Sequence, residues 1–172
     1  MKIGTRSLMF GVHQFIWHPF TVYLAWKELY GKPNWKELIC IIIHDWGYWG
    51  KQNLDGKEGI EHPKKGAYIA YKLFGDEYFE LCAGHSRSYI RLVNDRFGYE
   101  RWKLSKLCWA DKLSIKYEPC WFYLLRAKLT GELKEYRSIG VTNGFASLDV
   151  TDEEWFEYGK NYLVKQALEQ VK

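Results

Sequence analysis

The chain has 172 residues, of which 47% are hydrophobic and 18% aromatic, and this composition excludes an intrinsically disordered protein. The length predicts one domain with a sizeable core. The formal net charge of +4 is spread along the chain without a basic run, so a nucleic-acid-binding arm is not indicated. This charge is compatible with a small anionic substrate.

Cysteine usage and hydropathy bear on the compartment. The longest aliphatic run, residues 38 to 43, is too short to cross a bilayer, and no N-terminal stretch is typical of a signal peptide. The cysteines lie far apart and form no CxxC pair, which favours reduced thiols in apolar helices over zinc or redox sites. They are Cys40, Cys82, Cys108 and Cys120. We therefore expect a cytoplasmic protein with no membrane partner.

Hydrophobic spacing predicts helices in the first part of the chain. Residues 1 to 12 carry no clear periodicity, but apolar residues from 14 to 30 recur at helical intervals. Asn34 and Glu37 then form a predicted capping box for a second helix, which runs into His44. The first two helices are therefore expected to be joined by a short turn.

The middle of the chain alternates loops and shorter helices. Residues 47 to 61 contain four glycines and predict a loop long enough to form a lid or a rim over a site. A helix is expected to follow Pro63 and to end near Gly75, and Asp76 is expected to cap the next one, which reaches His85.

Helices are also predicted in the last part of the chain. After a basic segment at residues 86 to 99, they are expected from about Glu100, from Pro119 and from Thr151. Thr151 and Glu154 form a second predicted capping box. The glycine-, serine- and asparagine-rich residues 138 to 150 predict a surface connection before the last helix. No alternating strand pattern of useful length occurs. The prediction is an all-α, single-domain helical bundle.

Histidines and aspartates stand on different predicted helices or at helix ends. Imidazole nitrogens and carboxylate oxygens without thiolates suit iron, manganese, cobalt, nickel or zinc in an open site. A helical bundle can aim such side chains at one point in its core. Six ligands exceed what one ion in an open catalytic site takes, so we expect two divalent ions with Asp45 as the bridge. The candidate ligands are His18, His44, Asp45, His62, His85 and Asp111. His13 is an alternative to His18.

The order His, His-Asp, His, His, Asp resembles the two-metal branch of the HD-domain superfamily of metal-dependent enzymes. The resemblance covers residues 10 to 115, and helices in residues 118 to 171 are expected to pack on that core. The strings HDWGYWG, EHPKKGA and CWADKLS suggest a bacterial or phage subfamily. The resemblance implies one ion on His18, His44, Asp45 and Asp111, and a second on Asp45, His62 and His85.

The resemblance also implies a metal-dependent phosphohydrolase acting on a phosphomonoester, a phosphodiester or a nucleotide. Paired ions bridged by Asp45 would activate a water molecule and bind the phosphoryl oxygens. Many members have a basic residue three positions after the motif aspartate, where this chain has Tyr48. Cations that would hold the phosphate instead are Lys51 in the glycine-rich loop, Arg87 after His85, and Lys112 after Asp111.

Two other functions are compatible with the same residues. The di-iron oxygenases of this superfamily, such as myo-inositol oxygenase and the phosphonate-cleaving oxygenase, have the same ligand order and use iron to activate dioxygen. Tyr48 or a neighbouring ring would then gate the site. The third function is a helical domain that binds a metal or a nucleotide without catalysis. A homodimer is compatible with all three.

Overall fold

The computed structural model describes residues 1–100, 102–147 and 149–171. Ten α-helices and no β-strand occur in these ranges, which confirms the all-α prediction. Their bounds are Ile3–Phe10 (α1), Trp17–Tyr30 (α2), Trp35–Ile43 (α3), Pro63–Phe74 (α4), Asp76–Ala83 (α5), Arg87–Phe97 (α6), Lys106–Leu113 (α7), Cys120–Thr130 (α8), Leu133–Thr142 (α9) and Asp152–Glu169 (α10). Short 3₁₀ turns occupy Trp46–Tyr48, Gly59–Glu61 and Ser114–Tyr117.

Both predicted capping boxes are confirmed. The side chain of Asn34 accepts hydrogen bonds from the backbone N–H groups at the start of α3, and the Glu37 carboxylate accepts one from the Asn34 N–H at 2.7 Å. Thr151 and Glu154 form the same arrangement at the start of α10. Such caps contribute about 1 kcal/mol each. The α3 box determines where the helix begins, eight residues before it ends at Ile43.

Three helices, α1, α6 and α9, occupy segments in which none was expected. Residues 3 to 10 form α1, which buries Ser7 and Leu8 despite its weak periodicity. The basic segment forms α6, because the Ser86 hydroxyl caps it and one face buries apolar side chains while Arg91 and Arg96 are exposed. Charge in this segment therefore marks the exposed face of a helix rather than a loop.

Three predicted boundaries are wrong. The seventh helix begins at Lys106 instead of Glu100, because the Asn94 side chain holds the backbone of Trp102 through two hydrogen bonds of 3.0 Å. Residues 138 to 142 continue α9 into the expected surface connection. The N-cap of α5 is Gly75 rather than Asp76. Asp76 lies in the first turn, where its negative charge interacts favourably with the helix dipole.

The main core lies among α2, α3, α4, α5 and α7, and a second apolar cluster joins α8, α9 and α10. The last helix packs against α7 and α8 and so connects the two clusters. No described helix combines the length and the apolar character that a membrane span requires. Cys40, Cys82 and Cys108 are free and buried, as predicted, whereas the free Cys120 is only half-buried.

Gly66 sets the distance between α4 and the end of α3. A Cβ atom at this position would stand 2.7 Å from the carbonyl oxygen of Ile43 and 2.8 Å from that of His44. Ordinary carbon–oxygen contacts are longer, so only glycine permits this approach. The contact matters because His44 is a predicted metal ligand.

We expect Gly66→Ala to lower the free energy of unfolding by about 1–3 kcal/mol, because the added methyl group must push α4 away from His44. Helix propensity alone would change stability in the opposite direction by about 1 kcal/mol. Urea unfolding measures the difference, with Lys65→Ala on the exposed side of the same helix as the control. A stabilised Gly66→Ala protein would contradict the close packing.

Candidate metal centre

The six predicted ligands come from five parts of the fold and meet in its interior. His18 lies in the first turn of α2, and Asp111 lies on α7. The other four follow or precede helices: His44 and Asp45 follow α3, His62 precedes Pro63 of α4, and His85 follows α5. The four histidines and Asp45 are buried, and Asp111 is the most accessible of the six, with 21% of its side chain exposed.

Asp45 stands at the centre of this group. Its Oδ2 atom lies 3.2 Å from Nε2 of His18 and 3.3 Å from Nε2 of His44. Its Oδ1 atom lies 3.4 Å from Nε2 of His62 and 3.3 Å from Nε2 of His85. The two carboxylate oxygens therefore face two different pairs of imidazoles. Asp111 belongs to the first pair, because its Oδ1 atom lies 3.2 Å from Nε2 of His18.

Backbone carbonyls orient three of the four rings. The Nδ1 atoms of His44, His62 and His85 lie 2.7, 2.7 and 2.6 Å from the carbonyl oxygens of the residue three positions earlier in each case. A carbonyl oxygen only accepts, so each Nδ1 carries the hydrogen of the bond. In the neutral ring Nε2 then carries the lone pair, which is the tautomer that a metal ligand requires. The Nε2 atoms of His62 and His85 also lie 2.9 Å from each other.

Several polar atoms in this cluster have no hydrogen-bond partner. They are Nε2 of His18, Nε2 of His44 and Oδ2 of Asp45, and all three are inaccessible to solvent. An unsatisfied buried polar group costs about 1–3 kcal/mol, so three together indicate a missing ligand. Atoms held about 2.1 Å from one ion stand roughly 3.0 to 3.4 Å apart, which matches the spacing around Asp45. The cluster can bind a metal ion.

Charge in the cluster is balanced by a proton when no ion is bound. Burial disfavours protonated His18, but the carboxylates of Asp111 and Asp45 outweigh that effect and raise its pKa to about 10. Burial likewise opposes ionised Asp45, yet the surrounding histidines, His44 foremost, hold the pKa of Asp45 well below its usual range. A metal ion that binds here must displace the proton on His18.

His13 lies beside the cluster. Its Nε2 atom is 4.0 Å from Oδ2 of Asp45, compared with 3.2 Å for His18, and its Nδ1 atom lies 2.8 Å from the Ser7 hydroxyl. Burial lowers the pKa of His13 to about 4, so the ring is neutral at physiological pH. By distance, His18 fits the position of a ligand better than His13.

The predicted phosphate-binding cations fall in different places. A cavity of about 350 Å³ opens onto the cluster, and both Arg87 and Lys112 line it. The Lys112 ammonium lies 4.0 Å from Oδ2 of Asp111. Lys51 does not line this cavity; its charge acts on Glu61. Ser86, Ser88 and Arg91 also line the mouth of the cavity.

The position in which a basic residue was expected carries an aromatic ring packed on a ligand. Tyr48 is buried, and its ring stacks on His62 with centroids 3.9 Å apart and planes inclined by 14°. Burial raises the pKa of Tyr48 well above its ordinary value, so the phenol stays neutral. Tyr48 therefore holds the His62 ring in place and carries no charge for a phosphate group.

Residues from the last third of the chain also reach the cavity, and the sequence carried no signal for them. Tyr136 lies against His13 with ring centroids 6.4 Å apart, and its hydroxyl donates to the buried Glu132 at 3.1 Å. Glu132 also accepts hydrogen bonds from the Val12 N–H and the Thr130 hydroxyl. The contacts of Val12 with Glu132 and of His13 with Tyr136 span more than a hundred residues along the chain and follow no local pattern.

No protein-family model, no curated protein and no solved structure matches this chain. The geometry of the site is therefore the basis for assigning a function.

In protein treated with a chelator, we expect the stability conferred by His18 to fall as the pH rises. With its pKa raised to about 10, the folded chain holds a proton that the unfolded chain releases near pH 6.5. The difference in unfolding free energy between wild type and His18→Gln should be constant below about pH 6.5 and should shrink between about pH 6.5 and about pH 10.

His13→Gln is the matched control, because the sign is reversed. The pKa of His13 is lowered to about 4, so the stability conferred by its neutral form is present above pH 6.5 and is lost as the pH falls. The difference between wild type and His13→Gln should therefore grow between about pH 4 and about pH 6.5 and stay constant at higher pH. A pH-independent difference for His18→Gln would show that no proton is held there.

Proposed function

We propose that this protein is a metal-dependent phosphohydrolase that acts on a phosphomonoester, a phosphodiester or a nucleotide. The observation that carries the proposal is the position of Asp45, whose two carboxylate oxygens face two separate imidazole pairs. The cavity above this cluster has Arg87 and Lys112 on its wall, where they would bind an anionic group. The proposal includes membership of the HD-domain superfamily as a divergent chain.

The spacing supports two ions rather than one. The first would be held by the Oδ2 side of Asp45 together with His18, His44 and Asp111, and the second by the Oδ1 side together with His62 and His85. Bound ions of this kind lower the pKa of a coordinated water molecule and compensate charge on phosphoryl oxygens. Open positions on the cavity side would admit water and the phosphate group.

The side chains of the protein would orient the phosphate group. Arg87 can bind two phosphate oxygens through its planar guanidinium group, whereas Lys112 presents a single charge next to Asp111. Both side chains are half-buried, which strengthens their attraction for an anion relative to a fully solvated charge. Tyr48 excludes water from the back of the His62 ring and contributes no charge.

A di-iron oxygenase is the second candidate, and the buried Tyr48 favours it. In this position an uncharged ring replaces the base expected of a phosphohydrolase, and the ligand set is free of thiolates, as iron sites of this type require. Iron content together with oxygen consumption would distinguish the two enzymes. A non-catalytic metal-binding domain would bind metal and act on neither class of substrate.

Elemental analysis of protein purified without added metal tests the centre. We expect about two ions per chain in the wild type, about one in His85→Ala and in His18→Ala, and none in Asp45→Ala, because Asp45 is shared. His13→Ala is the matched control and should keep both ions, since its ring lies outside the group of atoms closest to Asp45.

Loss of metal in His13→Ala but not in His18→Ala would exchange the roles of these two residues. Equal metal content in the wild type and Asp45→Ala, with both proteins folded, would contradict the centre altogether.

Kinetics on a panel of phosphate esters test the cations. We expect Arg87→Ala and Lys112→Ala each to lower kcat/KM about 10- to 100-fold, because each removes a charged hydrogen bond to the phosphate. Arg96→Ala is the matched control; this arginine is exposed on the same helix and lies 3.6 Å from Glu61. Lys51→Ala should have the same kcat/KM as the control. A large loss of activity in Lys51→Ala would show that the phosphate binds near Lys51 rather than between Arg87 and Lys112.

A further inference from the structure

The helix α8 carries a row of exposed apolar side chains. Trp121, Leu125 and Leu129 follow each other at intervals of four residues, and they are 70%, 47% and 70% exposed. Residues at this interval lie on one face of an α-helix and form a ridge. Other positions of the same helix, among them Tyr123 and Leu124, pack into the second apolar cluster. A helix with apolar residues on both sides is normally covered on both sides.

The start of α2 extends this row. Ile16 and Phe20 lie one turn apart, with the Phe20 N–H donating to the Ile16 carbonyl at 3.2 Å, and they are 77% and 48% exposed. The Phe20 ring lies 5.8 Å from the ring of Trp17, which lies 5.4 Å from that of Phe122, the neighbour of Trp121. The two parts are therefore continuous. We call the following residues the apolar face: Ile16, Phe20, Trp121, Leu125 and Leu129.

The apolar face is large enough for the apolar part of a stable dimer interface. Its five side chains leave roughly 600 Å² in contact with water, taking about 200 Å² for a fully exposed side chain of this size. A stable interface buries about 800 Å² on each partner, of which about 65%, or about 500 Å², is apolar in homodimers. The largest apolar patch of a typical monomer measures only about 300–600 Å².

Both charged residues of α8 are paired within the chain. The Lys128 ammonium lies 2.9 Å from Oδ2 of Asp152, and the buried Arg126 forms an ion pair with Glu118. A partner that recognises its target by charge would find no free charge on this helix. A second copy of the chain needs none, because its own α8 presents the same uncharged ridge.

A second exposed apolar surface, on α3 and α4, differs in this respect. The Lys36 ammonium lies 5.7 Å from the centroid of the Trp35 ring, and the Lys72 ammonium lies 5.4 Å from that of Tyr68. Lysines that lie over rings at the surface keep their charge in water, so these rings belong to a solvated surface. Among the residues that the structure describes, no ammonium or guanidinium group lies over Trp121.

We propose that a second copy of this chain covers the apolar face, so that two chains form a symmetric dimer through α8. In such a dimer the same surface of each chain meets itself across a two-fold axis. With the axis next to Leu125, the two α8 helices run antiparallel. Leu125 then meets its own copy, and Trp121 of each chain packs against Leu129 of the other. The association uses none of the residues that line the cavity at the metal centre.

Analytical ultracentrifugation of the full chain tests the association. We expect the wild type at about 10 μM to sediment with twice the mass of the 172-residue chain. Trp121→Glu and Leu125→Glu should each weaken the dimer about 100-fold or more, because each would bury a carboxylate without a partner. Trp35→Glu is the matched control; it places the same charge on an exposed tryptophan of the other surface and should leave the dimer unchanged.

Cross-linking tests the antiparallel arrangement. The background is Cys120→Ser, which removes the half-buried thiol and leaves three buried ones. A short bismaleimide should join chains that carry Leu125→Cys, but not chains that carry Trp121→Cys alone. It should also join a mixture of Trp121→Cys chains and Leu129→Cys chains, which verifies that these variants still associate. Joining of Trp121→Cys chains to each other, but not to Leu129→Cys chains, would overturn the proposed axis.

Two results would overturn the dimer itself. One is a monomeric wild type, including a monomer that sediments with vesicles of phosphatidylcholine and phosphatidylglycerol unless it carries Trp121→Glu, since a membrane would then cover the face. The other is a dimer that persists in both Trp121→Glu and Leu125→Glu. Circular dichroism and a metal content equal to that of the wild type verify that these variants are folded.

Discussion

The buried carboxylate of Asp45 is the interaction on which the rest of this structure depends. A carboxylate removed from water is costly unless charge or hydrogen bonds compensate it. Here four imidazoles surround it at 3.2 to 3.4 Å, and each comes from a different part of the bundle. The fold can keep this group ionised in its interior only if a proton or a metal ion shares the space.

Carbonyl groups at the ends of two helices orient histidines of this centre. The last carbonyls of an α-helix lack partners within the helix, and two of the ligand histidines use them. His44 is directed by the carbonyl of Ile41 near the end of α3, and His85 by that of Cys82 near the end of α5. A ligand placed just after a helix is thereby oriented by the helix itself. The Gly66 contact then holds α4 against the backbone of His44.

The first seven helices and the last three contribute different kinds of residue to the cavity. The helices up to α7 and their ends supply the candidate metal ligands, Arg87 and Lys112, whereas α8, α9 and α10 close one side of the cavity with aromatic rings. The buried ion pair of Arg126 and Glu118 and the hydrogen bonds of Glu132 join these parts.

Local sequence determined the helical class, the two capping boxes and the residue types of the candidate ligands, because periodicity, caps and donor atoms are properties of short segments. Only the tertiary structure decided which Asp45 oxygen faces which imidazoles, and that Lys51 lies away from the cavity while Arg87 and Lys112 line it. Those outcomes depend on contacts between residues that are far apart in the sequence, which no local pattern encodes.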